Sequence, residues 1–328
     1  MQTRRLLRAC LVSAAIPAIV LTNASAQTYP SRTITIVVPF PSGSSPDGVA
    51  RILAAKLTDR VGKPFIVENR PGAASLTGAA DVAKADPDGY TLLVGGSSSF
   101  ATGPALRKSP PYDAVRDFVP LALVGYVPFV LVVNPSLPVH SVTDLIKLAK
   151  AKPGDLSYGS GGPGHTAHIY AELLKQMTGI QMAHVPYKGS PPALNDIVGG
   201  HIQLMFGDAL PSLPLIVEGK VRALAVSSGT RLPSAPDIPT MAEAGVHGFD
   251  AAAWIMVVAP VKTPAEIVGK LRSELIPMLV ASDVQSWITK NGMIPAKSQA
   301  PEDLQRFMSS EQSRWRGVLE EIGIAGSQ

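Results

Sequence analysis

The chain has 328 residues and a formal net charge of +4, from 29 lysines and arginines against 25 acidic residues, and it carries one cysteine. So small a charge excess argues against a protein built to grip nucleic acid, and a single cysteine excludes a disulfide framework. Stability must come from burial, and the length suffices for two lobes of ordinary size.

The N-terminus reads as a secretory signal over residues 1–26. Arg4, Arg5 and Arg8 form a basic start, residues 9–21 an apolar stretch, and Ala24-Ser25-Ala26 a small-residue cleavage site before Gln27. The apolar stretch has 13 residues, too few to span a bilayer. Cys10 lies inside the signal. Cleavage leaves 302 residues with a net charge of +1 and no thiol, so the expected location is the periplasm, without a membrane anchor.

The mature chain appears as one unit written twice. Residues 33–40 (TITIVVPF) read as a buried strand running into the small-residue loop 41–45. A helix, a strand at 65–68, a second helix and a strand at 90–94 follow. Ser45 as cap, Pro46 at the first helical position and Asp47 in the first turn open the first helix. Val49, Ile52, Leu53 and Leu57 give it an apolar stripe, and Gly62 ends it. Residues 156–159 then lead into a second Gly-rich loop, 160–164, a helix striped by Ile169, Leu173 and Met177 and ended by Gly179, a strand at 183–187, a short helix and a strand at 202–206.

Two long apolar runs read as crossovers between lobes. Residues 121–134 precede a helix opened by a Ser141/Asp144 capping box, and residues 254–260 precede one opened by a Thr263/Glu266 box. The chain is therefore expected to cross near residue 126 and return near residue 250. Lobe one takes residues 27–125 and 251–328, and lobe two takes 126–250. A tail helix from Pro301 is expected to lay Phe307, Trp315 and Leu319 on lobe one.

Helix N-termini that open from small-residue loops attract anions. The candidate ligand-binding residues in the first loop are Phe40, Pro41, Ser42, Gly43 and Ser44. In the second they are Ser160, Gly161, Gly162, His165 and His168. Ser97 and Ser98 follow the strand at 90–94, and Asp208 follows the strand at 202–206, where α/β clefts form. Gly159, Gly161 and Gly164 match G-x-G-x-x-G, but the next strand ends in His184-Val185-Pro186-Tyr187 without the acid that a dinucleotide site requires. His165, His168 and His184 form a possible metal set, so an exported metal-dependent hydrolase stands as an alternative. There is no G-x-S-x-G, P-loop or H-E-x-x-H. The main expectation is a non-enzymatic receptor for a small carboxylate, with no cofactor.

Several stretches together resemble the Bug family, the solute-binding receptors of tripartite tricarboxylate transporters. They are residues 36–51 (IVVPFPSGSSPDGVAR), 67–73 (VENRPGA), 82–93 (VAKADPDGYTLL), 184–189 (HVPYKG), 221–228 (VRALAVSS) and 236–245 (PDIPTMAEAG). The resemblance covers essentially the whole mature chain. It implies a two-lobed, type II periplasmic-binding-protein fold, each lobe a mixed sheet flanked by helices. Such a fold closes on an organic acid held by backbone groups of the two Gly-rich loops, here residues 40–44 and 160–168. His168 matches the family's histidine in this helix. Ser44 stands where the family often has a second glycine, His165 where it has a small hydroxyl residue, and Ala73-Ala74-Ser75 where it has a Gly-containing loop. The implied partners are integral-membrane transporter subunits; an exported sensory receptor that signals to a membrane sensor kinase stands as a further alternative, and the expected state is a monomer.

Overall fold

The computed structural model describes residues 29–328. The signal expected over residues 1–26, with Cys10, lies outside them. The first unit comprises β1 (Ile34–Val38), α1 (Ser45–Val61), β2 (Phe65–Asn69), α2 (Leu76–Ala83) and β3 (Thr91–Gly96). A π-helical turn, Ser98–Thr102, runs into the short α3 (Gly103–Leu106), and the 16-residue strand β4 (Phe118–Val133) follows. The second unit comprises α4 (Val142–Ala151), β5 (Ser157–Ser160), α5 (Thr166–Thr178), β6 (Ala183–Pro186), α6 (Ser190–Val198), β7 (Leu204–Asp208), α7 (Ala209–Val217) and β8 (Arg222–Val226). The chain returns through β9 (Ala252–Pro260) and ends in α8 (Ala265–Leu279), α9 (Ser282–Lys290), β10 (Ile294–Pro295) and α10 (Pro301–Glu321).

The strands lie in the order β2-β1-β3-β9-β4-β7-β5-β6, with β8 and β10 also pairing β4. β1 runs parallel to β2 and β3, and β5 runs parallel to β6 and β7, because helices make the crossovers. β4 joins the two parts. Residues 118–128 pair antiparallel with β9, and residues 129–133 pair antiparallel with β7 and β8. The partner therefore changes at Pro128–Phe129. Ser227 ties this point to the returning chain: its hydroxyl accepts from Phe129 N (2.9 Å) and donates to Ala251 O (2.6 Å).

Gly62 and Gly179 cap α1 and α5 with φ of 70° and 71°, the left-handed geometry expected of a C′ glycine. Ser141 caps α4, accepting from Asp144 N at 3.0 Å. Two expected caps differ. Ser45 is the first helical residue and not the cap; Ser44 precedes α1, and its hydroxyl donates to Pro41 O (2.8 Å), closing the loop on itself. Thr263 forms no box with Glu266, because its hydroxyl donates to Pro260 O at 2.7 Å. β3 and β7 also run further than expected, carrying Gly96 and Asp208 to the strand ends.

The tail helix departs from expectation as well. Phe307 meets Trp254 edge-on at 5.1 Å, within the first part of the sheet. Trp315, eight residues or roughly 12 Å further along the axis, stacks instead on Tyr170 of α5 at 5.7 Å. α10 therefore packs on both units. Between its two anchors, the buried Glu311 accepts from Trp254 Nε1 (2.9 Å) and Trp315 Nε1 (3.1 Å), which satisfies both indoles.

Candidate ligand-binding site

Four helices begin around one cavity beside the point where β4 changes partners. Ser44 and Pro46 come from the start of α1, His165 and Thr166 from α5, Gly189 and Ser190 from α6, and Asp208 from α7. The cavity and its open mouth together span about 400 Å³ of empty space, solvent included. Phe40, Val127, Phe129, Ala253, Trp254 and Ile255 make an apolar wall, and Ser97 and Ser98 add hydroxyls at the end of β3. Among the described residues, no lysine or arginine lines it. Whatever anion enters must be met by helix N-termini, hydroxyls and one imidazole.

Of the residues expected from sequence, the structure brings Phe40, Pro41, Ser44, Ser97, Ser98, His165 and Asp208 to this cavity. Ser97 is partly committed, since its hydroxyl accepts from Trp254 N (2.9 Å). Ser42 and Gly43 are exposed and do not line it. The Gly43 N–H donates to Asp47 (2.9 Å), which also accepts from Arg51 Nε (3.0 Å) and Asn69 Nδ2 (2.8 Å). Burial disfavours the Asp47 charge, but these donors outweigh it and hold the carboxyl below its ordinary value.

Ser160, Gly161, Gly162 and His168 do not line the cavity. The Ser160 hydroxyl lies 2.6 Å from His184 Nε2 and accepts from Gly162 N at 3.0 Å. The rings of His168 and His184 are 4.5 Å apart, and Tyr158 stacks on His184 at 4.9 Å. Gly161 leaves room for an imidazole: a methyl there would stand 2.4 Å from His165 Cδ2.

His165 caps α5. Its Nδ1 accepts from Ala167 N at 3.2 Å, which assigns the ring proton to Nε2. Burial, then the neighbouring His168 and His184, hold its pKa down to about 4, so the ring is neutral near pH 7 and offers an N–H. Phe40 and Phe129 meet it edge-on, each at 6.3 Å. This arrangement contradicts the metal reading of His165, His168 and His184. Nδ1 of His165 is spent on the cap and Nε2 of His184 on Ser160. Among the described residues, no three His, Cys, Asp or Glu side chains converge as ligands.

Asp208 is buried and reaches across to the first unit. Its Oδ2 accepts from Ser45 N at 3.0 Å. Its Oδ1 has no partner, and the hydroxyls of Ser45 and Ser190 lie beside it without a well-directed bond. Burial raises its pKa above the usual carboxylate value.

Ser190, Phe129 and Trp254 were not foreseen as site residues, and Thr166 was covered only by the loop 160–168 that the resemblance implied. Ser190-Pro191-Pro192 carried a readable helix-start signal, because a small polar residue before prolines suits an N-terminus. Phe129 and Trp254 sit in apolar strand runs, where sequence alone does not separate a cavity wall from core.

A family model described as the tripartite tricarboxylate transporter family receptor matches residues 49–324. The chain belongs to this family. Protein BugT of Bordetella pertussis is 40% identical over 300 residues, 91% of this chain and 92% of BugT. The solved structure of R. palustris Rpa4515 with adipate shares 39% identity at a TM-score of 0.87, covering 90% of this chain and 99% of that one. The periplasmic binding protein BugD shares 33% identity, also at 0.87, with the same coverages. The receptor fold is thus the mixed α/β, two-lobed periplasmic-binding-protein fold expected from the resemblance, and the family is one of solute-binding receptors and not of enzymes.

Proposed function

We propose that this chain is a periplasmic receptor that captures a small organic carboxylate between its two units and delivers it to the membrane subunits of a tripartite tricarboxylate-type transporter. The observation that carries this reading is the cavity itself. Four helix N-termini open onto it, it lies where one strand passes between two halves of the sheet, and the titratable donor that the described residues supply is a neutral imidazole. Positive helix ends favour an anion without the desolvation cost of a buried lysine or arginine. One carboxylate would meet Ser98, Thr166 and His165 Nε2, and the apolar wall would take the carbon body. The expected crossings near residues 126 and 250 fall at Pro128–Phe129 and Ala251–Ala252, where the two parts would hinge with Ser227 between them. Adipate bound to Rpa4515 supports the ligand class.

A thermal-shift screen of the mature protein against organic acids tests the reading. A ligand that binds only the folded state raises the melting temperature. A carboxylate should do so, and small-angle scattering should then show a smaller radius of gyration. A panel in which no acid shifts the transition would overturn it.

A further inference from the structure

The cavity that is to hold an anion already contains a buried carboxyl group. Asp208 stands at the end of β7, 4% exposed, with Oδ2 on the Ser45 amide and Oδ1 without a partner. Beside Oδ1 lie the buried hydroxyls of Ser45 and Ser190, both able to donate to it. Unanswered buried polar atoms are rare, because each forfeits the bonds it had in water. Asp208 thus has one well-directed donor, the Ser45 amide on Oδ2, for a fully buried carboxyl. A carboxylate oxygen can only accept, and hydroxyls can accept as well as donate. The corner is therefore rich in acceptors, and among the described residues no cation lines the cavity to balance it.

We propose that Asp208 sets the charge class of the ligand: the bound acid carries a proton-donating group at its other end, which Asp208 Oδ1 and the Ser190 hydroxyl receive. This rests on the carboxylate-receptor reading above and narrows it. The donor has two chemical sources. An ammonium brings its own protons and a positive charge. A second carboxyl serves only if one proton is taken up on binding and shared with Asp208, since two ionised carboxylates in contact repel. The groups facing Asp208 are Ser45 from α1, Phe129 from β4, Ser190 from α6 and, on the cavity lining, His165 from α5. Of these only His165 titrates, and burial holds it neutral above about pH 4. A proton taken up near pH 7 then belongs to Asp208 and the ligand.

Isothermal titration of the mature protein with adipate, 6-aminohexanoate and hexanoate tests this, each at pH 6.5, 7.5 and 8.5. If no six-carbon compound binds, succinate, 4-aminobutyrate and butyrate replace them. The amino acid should bind at least about tenfold tighter than the simple acid at every pH. The diacid should weaken about tenfold per pH unit, the slope of a one-proton linkage. Asp208→Asn should abolish both the amine preference and the diacid's pH slope. Equal affinity for the amino and simple acids, together with a pH-independent diacid, would overturn the proposal. So would effects that survive in Asp208→Asn. If that variant does not fold, the wild-type pH slope and amine preference decide alone. Binding by the simple acid with neither effect refutes the role of Asp208 and leaves the receptor reading standing. Binding by no compound in either set refutes the proposal for aliphatic acids and leaves the receptor reading to the wider screen.

Discussion

Gly161→Ala should strike His165 and, through it, both the start of α5 and the ligand cavity. The new methyl would lie 2.4 Å from Cδ2, 2.6 Å from Cγ and 2.8 Å from Nε2 of the imidazole. The ring has little freedom to yield. Nδ1 is held by Ala167 N at 3.2 Å, and Phe40 and Phe129 flank it. Overpacking of this kind costs about 1–3 kcal/mol, and loss of the cap adds roughly 1 kcal/mol. A total of about 2–4 kcal/mol corresponds to a fall in melting temperature of roughly 5–10 °C. Affinity for the acid found by the screen should also drop about tenfold, as one donor leaves the cavity. The assay is a double-mutant cycle by denaturant melts. In a His165→Ala background there is no ring to strike, so Gly161→Ala should cost under about 0.5 kcal/mol. Equal costs in both backgrounds would refute the clash. Gly43→Ala is the contrast. Its φ is +82° and the nearest atom to a new methyl is Pro191 Cγ at 3.9 Å, so the penalty is backbone strain of about 1 kcal/mol, with little change in affinity.

Other consequences follow from buried polar groups. Glu311→Ala leaves the indole N–H of Trp254 and of Trp315 without an acceptor, and should destabilise the protein by about 2–4 kcal/mol in urea melts; a loss below about 0.5 kcal/mol would show that water replaces the carboxylate. Burial holds His165 and His184 down to about 4, below the ordinary 6.5, so folding favours their neutral forms. Their stabilising contribution is complete above about pH 6.5 and is lost as pH falls toward 4. Melting temperature should therefore decline across that window, and imidazole NMR shifts of both rings should stay flat above pH 5.5. A midpoint near 6.5 for either would contradict the packing. Export should remove residues 1–26, so N-terminal sequencing of the periplasmic form should begin at Gln27; a mature chain retaining residues 1–21 would refute the signal.

Much of the fold was legible because local signals agreed with one another. Apolar runs, small-residue loops and helix-start residues recur in the same order in both units, and Gly62, Gly179 and Ser141 act as their chemistry predicts. The site was legible in outline only. His165 and Asp208 lie next to strand ends and small-residue loops, and both reach the cavity. The pairing of Asp208 with Ser45, 163 positions away, depends on how the two units face each other, which no local pattern encodes. The same holds for Gly43, whose amide looked free for a ligand until Asp47 was seen to take it. Glu311 reads as part of a solvated helix face; only the fold sets two indoles against it.

The most direct test is a crystal structure of the mature protein with the acid that raises its melting temperature most. The account predicts one ligand carboxylate within hydrogen-bonding distance of Thr166 and His165 Nε2, the carbon body against Phe129 and Trp254, and the two units closed around it. A ligand bound outside this cavity, or held there by a lysine or arginine drawn in from elsewhere, would contradict it.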